Sequence, residues 1–337
     1  MEKMKIIVRA PNWVGDCVLA IPALKSLRRA FPRAEIRVAA NAGAGDLFTV
    51  TGLADGIVEL PEENGWKGLR RASRKVREGA FDAGLLLTNS FGSAFLFRLG
   101  GIPERWGYAA DGRSLLLTKA VPRPKPAAPR HQVHYYLDLV AGLGLETPPP
   151  ELKVGLPAKD LEEAGERLKS LGVDPARPLV TLCPGASYGP AKRWPAGSFA
   201  AAAALVGKRH GAEVLIVGSA SETDIAEAIR KQLKGQPHVL TGSTTLRQLM
   251  GVIARSTLVI ANDTGPMHLA NALGVPVVGI FGPTNPAVTG PFAPPSRVVK
   301  AEVPCWPCYY RQCPLDHRCL ALIAPAEVAA AAEALWP

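Results

Sequence analysis

Asn262-Asp263-Thr264-Gly265-Pro266-Met267-His268 follows an apolar run at residues 257–261 and precedes a stretch of helical spacing that ends at Gly274. Asp263 or Thr264 suits the N-cap, Pro266 the first turn and Gly274 the C′ position. A helix starting there points the N–H groups of Thr264, Gly265 and Met267 outward, with the positive end of its dipole behind them. Those features describe an anion site suited to a phosphate or diphosphate, each contact contributing about 0.3–1 kcal/mol at an exposed position. His268, one turn in, faces the same ligand. An ordinary capped helix packed on a sheet would carry the same residues, so this segment alone leaves the choice open.

Two further segments fall at the ends of expected strands. Pro184-Gly185-Ala186-Ser187-Tyr188-Gly189-Pro190-Ala191-Lys192-Arg193-Trp194-Pro195 follows an apolar run at 179–183. Its small residues, Ser187 among them, leave the backbone open to a ligand, and Lys192 offers a point charge for a phosphate. In a plain surface loop the same Lys-Arg pair would merely be solvated. Gly218-Ser219-Ala220-Ser221-Glu222 ends the next strand. The Glu222 carboxylate could accept hydrogen bonds from ribose hydroxyls, or equally act as a capping charge at a helix start. Near the N-terminus, Asn12-Trp13-Val14-Gly15-Asp16 joins a strand to a helix. Asp16 there is a candidate general base or, on the bland reading, an N-cap.

Positioning these groups requires a repeated strand–helix pattern. Apolar runs at residues 5–10, 35–40, 56–60 and 83–88 alternate with helical stretches at 17–30 and 67–78. A loop is expected at 121–129, and residues 131–143 return to helical spacing with Val133, Tyr136, Leu137 and Val140 on one face. After Thr147-Pro148-Pro149-Pro150, a stiff linker, strands are expected at 179–183, 213–217, 238–240, 257–261 and 275–280. Helices are expected at 197–208, 223–234 and 246–254, with a last one at 325–336. Such alternation implies crossover connections and parallel sheets. The expectation is an α/β chain with a Rossmann-like domain over 1–155, a second over 156–324, and a C-terminal helix over 325–337 that is a candidate to pack back on the first. A cleft between the carboxyl ends of both sheets would hold the ligand.

Composition narrows the class. The chain has 337 residues, 47% hydrophobic and 20% charged, with a net charge of +10. It has no apolar run long enough to span a bilayer, and its first ten residues do not read as an export signal. A cytoplasmic globular protein is expected. Residues 1–155 carry 22 Lys and Arg against 15 Asp and Glu, and residues 156–337 carry 17 against 14. The excess therefore favours an anionic partner at the first domain, although solubility alone would also account for it. RNP-like aromatics, zinc-finger His pairs and basic heptads are absent, which argues against nucleic acid. No GxxxxGK[ST] occurs, which disfavours a P-loop NTPase.

Together these segments resemble glycosyltransferase family 9, the ADP-heptose:lipopolysaccharide heptosyltransferases, and the heptosyltransferase II branch in particular. The resemblance covers nearly the whole chain. It rests on residues 11–16 with Ile21-Pro22-Ala23-Leu24, on Asn89-Ser90-Phe91-Gly92-Ser93-Ala94, on Gly101-Ile102-Pro103-Glu104-Arg105-Trp106-Gly107, on the Lys192-Arg193-Trp194-Pro195 loop and on residues 262–268. It implies a GT-B fold of two Rossmann-like lobes. It also implies inverting transfer of L-glycero-D-manno-heptose from ADP-heptose to the phosphorylated inner core of lipid A-linked lipopolysaccharide, at the cytoplasmic face of the inner membrane. By this resemblance Asp16 is the base, and Ser187, Lys192, Glu222, Asp263, Thr264, Gly265 and His268 hold the donor. Asn12, Trp13, Asn89 and Ser90 face the acceptor. No cofactor is implied, since Lys192 and a helix end take the place of a metal. Alternatives are another GT-B transferase, a sugar-nucleotide epimerase, or a non-catalytic nucleotide-sugar or RNA-binding protein.

Six cysteines occur, and Cys305, Cys308, Cys313 and Cys319 lie close in sequence. Their spacings are looser than paired CxxC knuckles, and prolines stiffen the segment. Reduced thiols are expected, with a structural metal as the minority reading and His317 as a substitute ligand. Arg311 and Arg318 are candidates to contact donor or acceptor.

Overall fold

The computed structural model describes residues 3–41, 43–61, 63, 65–125 and 127–337. Met1 and Glu2, in the segment examined for an export signal, and Pro126, in the loop expected at 121–129, lie outside them. The chain divides into two units, Met1–Leu152 and Lys153–Pro337, at the proline-rich linker.

In the first unit, β1 (Lys5–Arg9), β2 (Glu35–Ala40), β3 (Gly56–Glu59), β4 (Ala83–Leu86), β5 (Glu104–Ala109) and β6 (Lys119–Pro122) form one parallel sheet in the order β3-β2-β1-β4-β5-β6. In the second, β7 (Leu179–Cys183), β8 (Glu213–Ile216), β9 (His238–Val239), β10 (Leu258–Asn262), β11 (Val277–Phe281) and β12 (Ser296–Lys300) form another in the order β12-β11-β10-β7-β8-β9. Every residue of β4, β7, β10 and β11 is buried. Crossover helices cover both faces of a parallel sheet, so its central strands read as unbroken apolar runs rather than alternating ones.

Both sheets reverse direction at one point. Connections run outward from β1 through β2 to β3, then resume at β4 on the other side of β1. In the second unit they run from β7 to β9 and resume at β10 beside β7. The crevice outside the carboxyl ends of the two strands flanking such a reversal is where open α/β sheets take ligands.

Several expectations are corrected. Residues 119–122 are a strand, so the loop expected at 121–129 begins later. Three strands (β5, β6 and β12) and, among the longer helices, Phe91–Leu99 and Ala158–Ser170 escaped the sequence reading. The C-terminal helix Pro325–Glu333 packs on the helix Ala196–His210 and on β11 and β12 of its own unit. Val328, Ala329 and Ala332 enter that unit's core, and the Trp336 ring stacks on His210 at 3.7 Å. Burying the Val328 side chain stabilises by roughly 1.5–3 kcal/mol relative to exposure, and each alanine methyl by about 0.8 kcal/mol.

Candidate functional site

In the second unit the reversal between β7 and β10 gathers most of the residues singled out for an anion. β10 ends in Asn262, whose side chain is wholly buried. Its Oδ1 accepts from the Trp194 N–H at 3.1 Å and its Nδ2 donates to the Pro184 carbonyl at 2.7 Å. Asn262 thereby clamps both ends of the 184–195 loop to β10. Trp194, fully buried, closes the loop against Phe199 at 5.1 Å in an edge-to-face contact.

Lys192 is thus delivered to Asp263, with which it forms an ion pair. The Asp263 carboxylate is only 4% exposed and also accepts a 2.6 Å hydrogen bond from the Thr284 hydroxyl. The helix Gly265–Ala272 starts beside this pair. Its N-cap is Thr264 in extended geometry with no side-chain cap, and Asp263 turns to Lys192 instead. Gly274, φ +76°, stands just beyond the helix, where a left-handed residue ends it without the steric cost of a Cβ. One detail differs from expectation. The Met267 N–H is taken by the Thr264 carbonyl at 3.1 Å, whereas the N–H groups of Thr264 and Gly265 enter no hydrogen bond among the described residues. Two outward donors, a helix N-terminus and a lysine therefore converge. His268 is buried one turn in, and Asn271 is spent on the 292–293 backbone.

The β8 end contributes Glu222, whose Oε2 accepts from the Ser219 N–H at 2.8 Å in a capping box. The carboxylate also lies against Gly185, where a Cβ would overlap it, so only glycine lets the β7 and β8 loops meet this closely. Ser187 is exposed at the loop surface.

Sequence reasoning missed two members of this neighbourhood. Thr284 follows the buried strand β11, and its position after an apolar run at the carboxyl edge was the available signal. The Tyr188 ring carries Lys192 at 4.8 Å and Arg311 at 5.2 Å, two cation–π contacts of which the one with Arg311 joins residues remote in sequence. Arg318, the other arginine considered for ligand contact, pairs with Asp316 at 2.9 Å on the surface.

In the first unit the reversal between β1 and β4 brings together the other candidates. Asp16 lies in the first turn of the helix Val14–Leu19, whose N-cap is Trp13 with no side-chain cap bond. Asp16 is half-buried and Trp13 is 46% exposed. Burial, with the Asp16 charge added, pushes the Cys17 thiol up to about 12 and holds the Tyr136 phenol well above its usual range. Asn12 is exposed and accepts a 2.6 Å bond from buried Arg9. The Leu87 N–H joins the Arg9 carbonyl, drawing the β4 loop alongside. Asn89 there donates to the Tyr135 hydroxyl at 2.7 Å, and Ser90 caps the helix Phe91–Leu99. Fully buried Arg113, also missed, donates to the carbonyls of Thr88 and Tyr108 and so ties this loop to β5.

Cys305, Cys308, Cys313 and Cys319 line one cavity of about 20 Å³ with Pro283 and His317. Among the described residues no three His, Cys, Asp or Glu are grouped so as to hold a metal ion. Burial, with the other three thiols nearby, pushes Cys319 up to about 11. The thiolate is the reactive form. At about pH 8, well below the raised values of Cys17 and Cys319, iodoacetamide is therefore expected to label exposed Cys305 first and to spare Cys17 and Cys183 until the protein unfolds. Peptide mass mapping checks this order; early labelling of Cys17 would contradict it.

Two six-stranded parallel sheets, each with candidate side chains at its reversal point, make this a two-domain α/β protein of the GT-B glycosyltransferase type. The model of the family described as glycosyltransferase family 9 (heptosyltransferase) matches residues 69–318. Lipopolysaccharide heptosyltransferase 2 of Salmonella typhimurium is 32% identical over 308 residues, 88% of each chain. The Escherichia coli protein of the same name is 31% identical over 309 residues, again 88% of each. The solved structure of E. coli ADP-heptose lipopolysaccharide heptosyltransferase II superposes with a TM-score of 0.85 at 27% identity, covering 99% of this chain and 98% of that one. The chain belongs to glycosyltransferase family 9.

Proposed function

We propose that this protein transfers L-glycero-D-manno-heptose from ADP-heptose to the inner core of lipid A-linked lipopolysaccharide, with inversion at the anomeric carbon. The relatives named above support the donor and acceptor class. The observation that carries the donor half is Lys192 held by Asp263 at the open N-terminus of the helix Gly265–Ala272.

In this reading the Thr264 and Gly265 N–H groups and Lys192 bind the diphosphate. His268 and Asp263 border the sugar, and Ser187 and Glu222 lie toward the nucleoside. As the bond between the anomeric carbon and the diphosphate oxygen breaks, its electron pair passes to ADP, where the lysine and the helix end stabilise the growing charge. The acceptor hydroxyl oxygen forms the new bond on the opposite face, and Asp16 takes its proton. The positive charge needed is supplied by the protein, so the scheme calls for no metal. Asn12, Trp13, Asn89 and Ser90 orient the acceptor, whose phosphates suit the basic excess of residues 1–155. A lipid-anchored acceptor implies reaction at a membrane surface, in this reading the cytoplasmic face of the inner membrane.

The test is direct. Purified protein is offered ADP-heptose, UDP-sugars and GDP-mannose with a set of truncated core acceptors, and products are weighed by mass spectrometry. One added heptose from ADP-heptose alone is the expected result, with NMR of the product reporting the anomeric configuration. Turnover only with a non-ADP donor would overturn the assignment.

A further inference from the structure

The helix Gly65–Glu78 buries a narrow stripe of Gly68, Ala72, Ser73 and Val76 and exposes much of the rest. Among its 14 residues Lys67, Arg70, Arg71, Arg74, Lys75 and Arg77 face a single acid, Glu78. At its N-terminal end Trp66 is 58% exposed. The Trp66 ring lies 6.4 Å from Phe95 on the neighbouring helix Phe91–Leu99, and Phe95 stacks at 5.9 Å on Phe91, itself 50% exposed. Arg98 continues the stripe of Phe91 and Phe95 at helical spacing and is exposed. Some of the charge is locally spent. Glu63 pairs with Arg71 at 3.0 Å, Lys75 donates to the Glu59 carbonyl, and Arg77 donates to the Leu99 carbonyl. Among the described residues no carboxylate pairs with Lys67, Arg70, Arg74 or Arg98.

Three rings in a ladder beside four cations that pair with no carboxylate among the described residues are costly on a surface facing only water. The rings leave apolar area exposed and the like charges repel. Both costs reverse against a surface that is anionic outside and apolar just beneath. Aromatic rings settle at the headgroup level, while lysine and arginine reach the lipid phosphates. We propose that the face formed by Trp66, Phe91 and Phe95 with Lys67, Arg70, Arg74 and Arg98 docks this protein on an anionic phospholipid bilayer. It deepens the reading above, resting on a lipid-anchored acceptor. Phe91 directly follows Ser90, so the docking face adjoins the candidate acceptor loop within one unit.

Co-sedimentation of the full chain with phosphatidylcholine vesicles, with and without phosphatidylglycerol, tests this in the absence of donor and acceptor. Binding is expected on the anionic vesicles only, weakening as salt rises. Each polybasic contact is worth about fivefold in partitioning, so Lys67→Ser, Arg70→Ser and Arg74→Ser combined should weaken it about a hundredfold. Trp66→Ser with Phe91→Ser should weaken it about tenfold even at low salt. Far-ultraviolet circular dichroism and thermal unfolding of each variant report that the fold is intact. Wild-type protein that stays in the supernatant, a triple variant that binds like wild type, displacement by soluble glycerophosphoglycerol, or a preference for RNA over vesicles would each overturn the proposal. Vesicle binding without heptose transfer would sink the enzymatic reading and leave the docking face standing; transfer without vesicle binding would do the reverse.

Discussion

Asp16→Asn is expected to lower the rate of glycosyl transfer by about three orders of magnitude while ADP binds as before, because a positioned general base contributes roughly 10²–10⁴-fold. The amide keeps the size of the carboxylate and cannot accept the proton. The position supports the role. Asp16 sits in the first turn of a helix whose cap residue makes no side-chain bond, half-buried, beside a β4 loop drawn in by the Arg9 backbone. Steady-state kinetics under saturating acceptor gives the loss in kcat, calorimetric titration with ADP gives the unchanged affinity, and thermal unfolding shows that the variant is folded. A rate within about tenfold of wild type would remove Asp16 from the base role.

Lys192→Met should act on both activity and stability, and the two effects can be separated. Losing a cation that steadies the departing diphosphate is expected to lower the rate by about 10²–10³-fold. It also leaves Asp263, 4% exposed, with Thr284 as its remaining side-chain donor among the described contacts. Breaking one side of a buried pair typically costs about 3–5 kcal/mol, since the surviving charge stays desolvated. Adding Asp263→Asn removes that charge. The double variant should therefore recover much of the stability in urea unfolding and none of the activity. If stability and activity returned together, Lys192 would be a structural partner of Asp263 and nothing more. If neither single change altered ADP affinity, the diphosphate would have to lie elsewhere.

The local half of this protein was legible in its residues. Unbroken apolar runs such as Leu-Val-Ile-Ala before Asn262 announce strands buried on both faces, and Pro266 with Gly274 brackets a helix from start to stop. The helix Gln132–Gly142 buries the face that its spacing predicts. These signals are local because they record how one segment meets a core, with a period of two or 3.6 residues. β5 (Glu-Arg-Trp-Gly-Tyr-Ala), β6 with its proline and half-exposed β12 lack an unbroken apolar run, so pairing with their sheet neighbours rather than any local pattern makes them strands. Glu222 was ambiguous for the opposite reason: its capping bond and its contact with Gly185 depend on two loops meeting.

What the chain alone determined was the set of chemical groups and the kind of element that carries each. Which groups become neighbours was decided by strand order. Placing β10 beside β7 brings Asp263 to Lys192 across 71 residues of chain, and placing β4 beside β1 joins Leu87, at the start of the loop carrying Asn89 and Ser90, to Arg9 at the start of the loop before Asp16. Thr284, Arg113 and the contact of Tyr188 with Arg311 acquired their roles only there, since a hydrogen bond or a ring contact between remote residues leaves no periodic trace in the sequence between them.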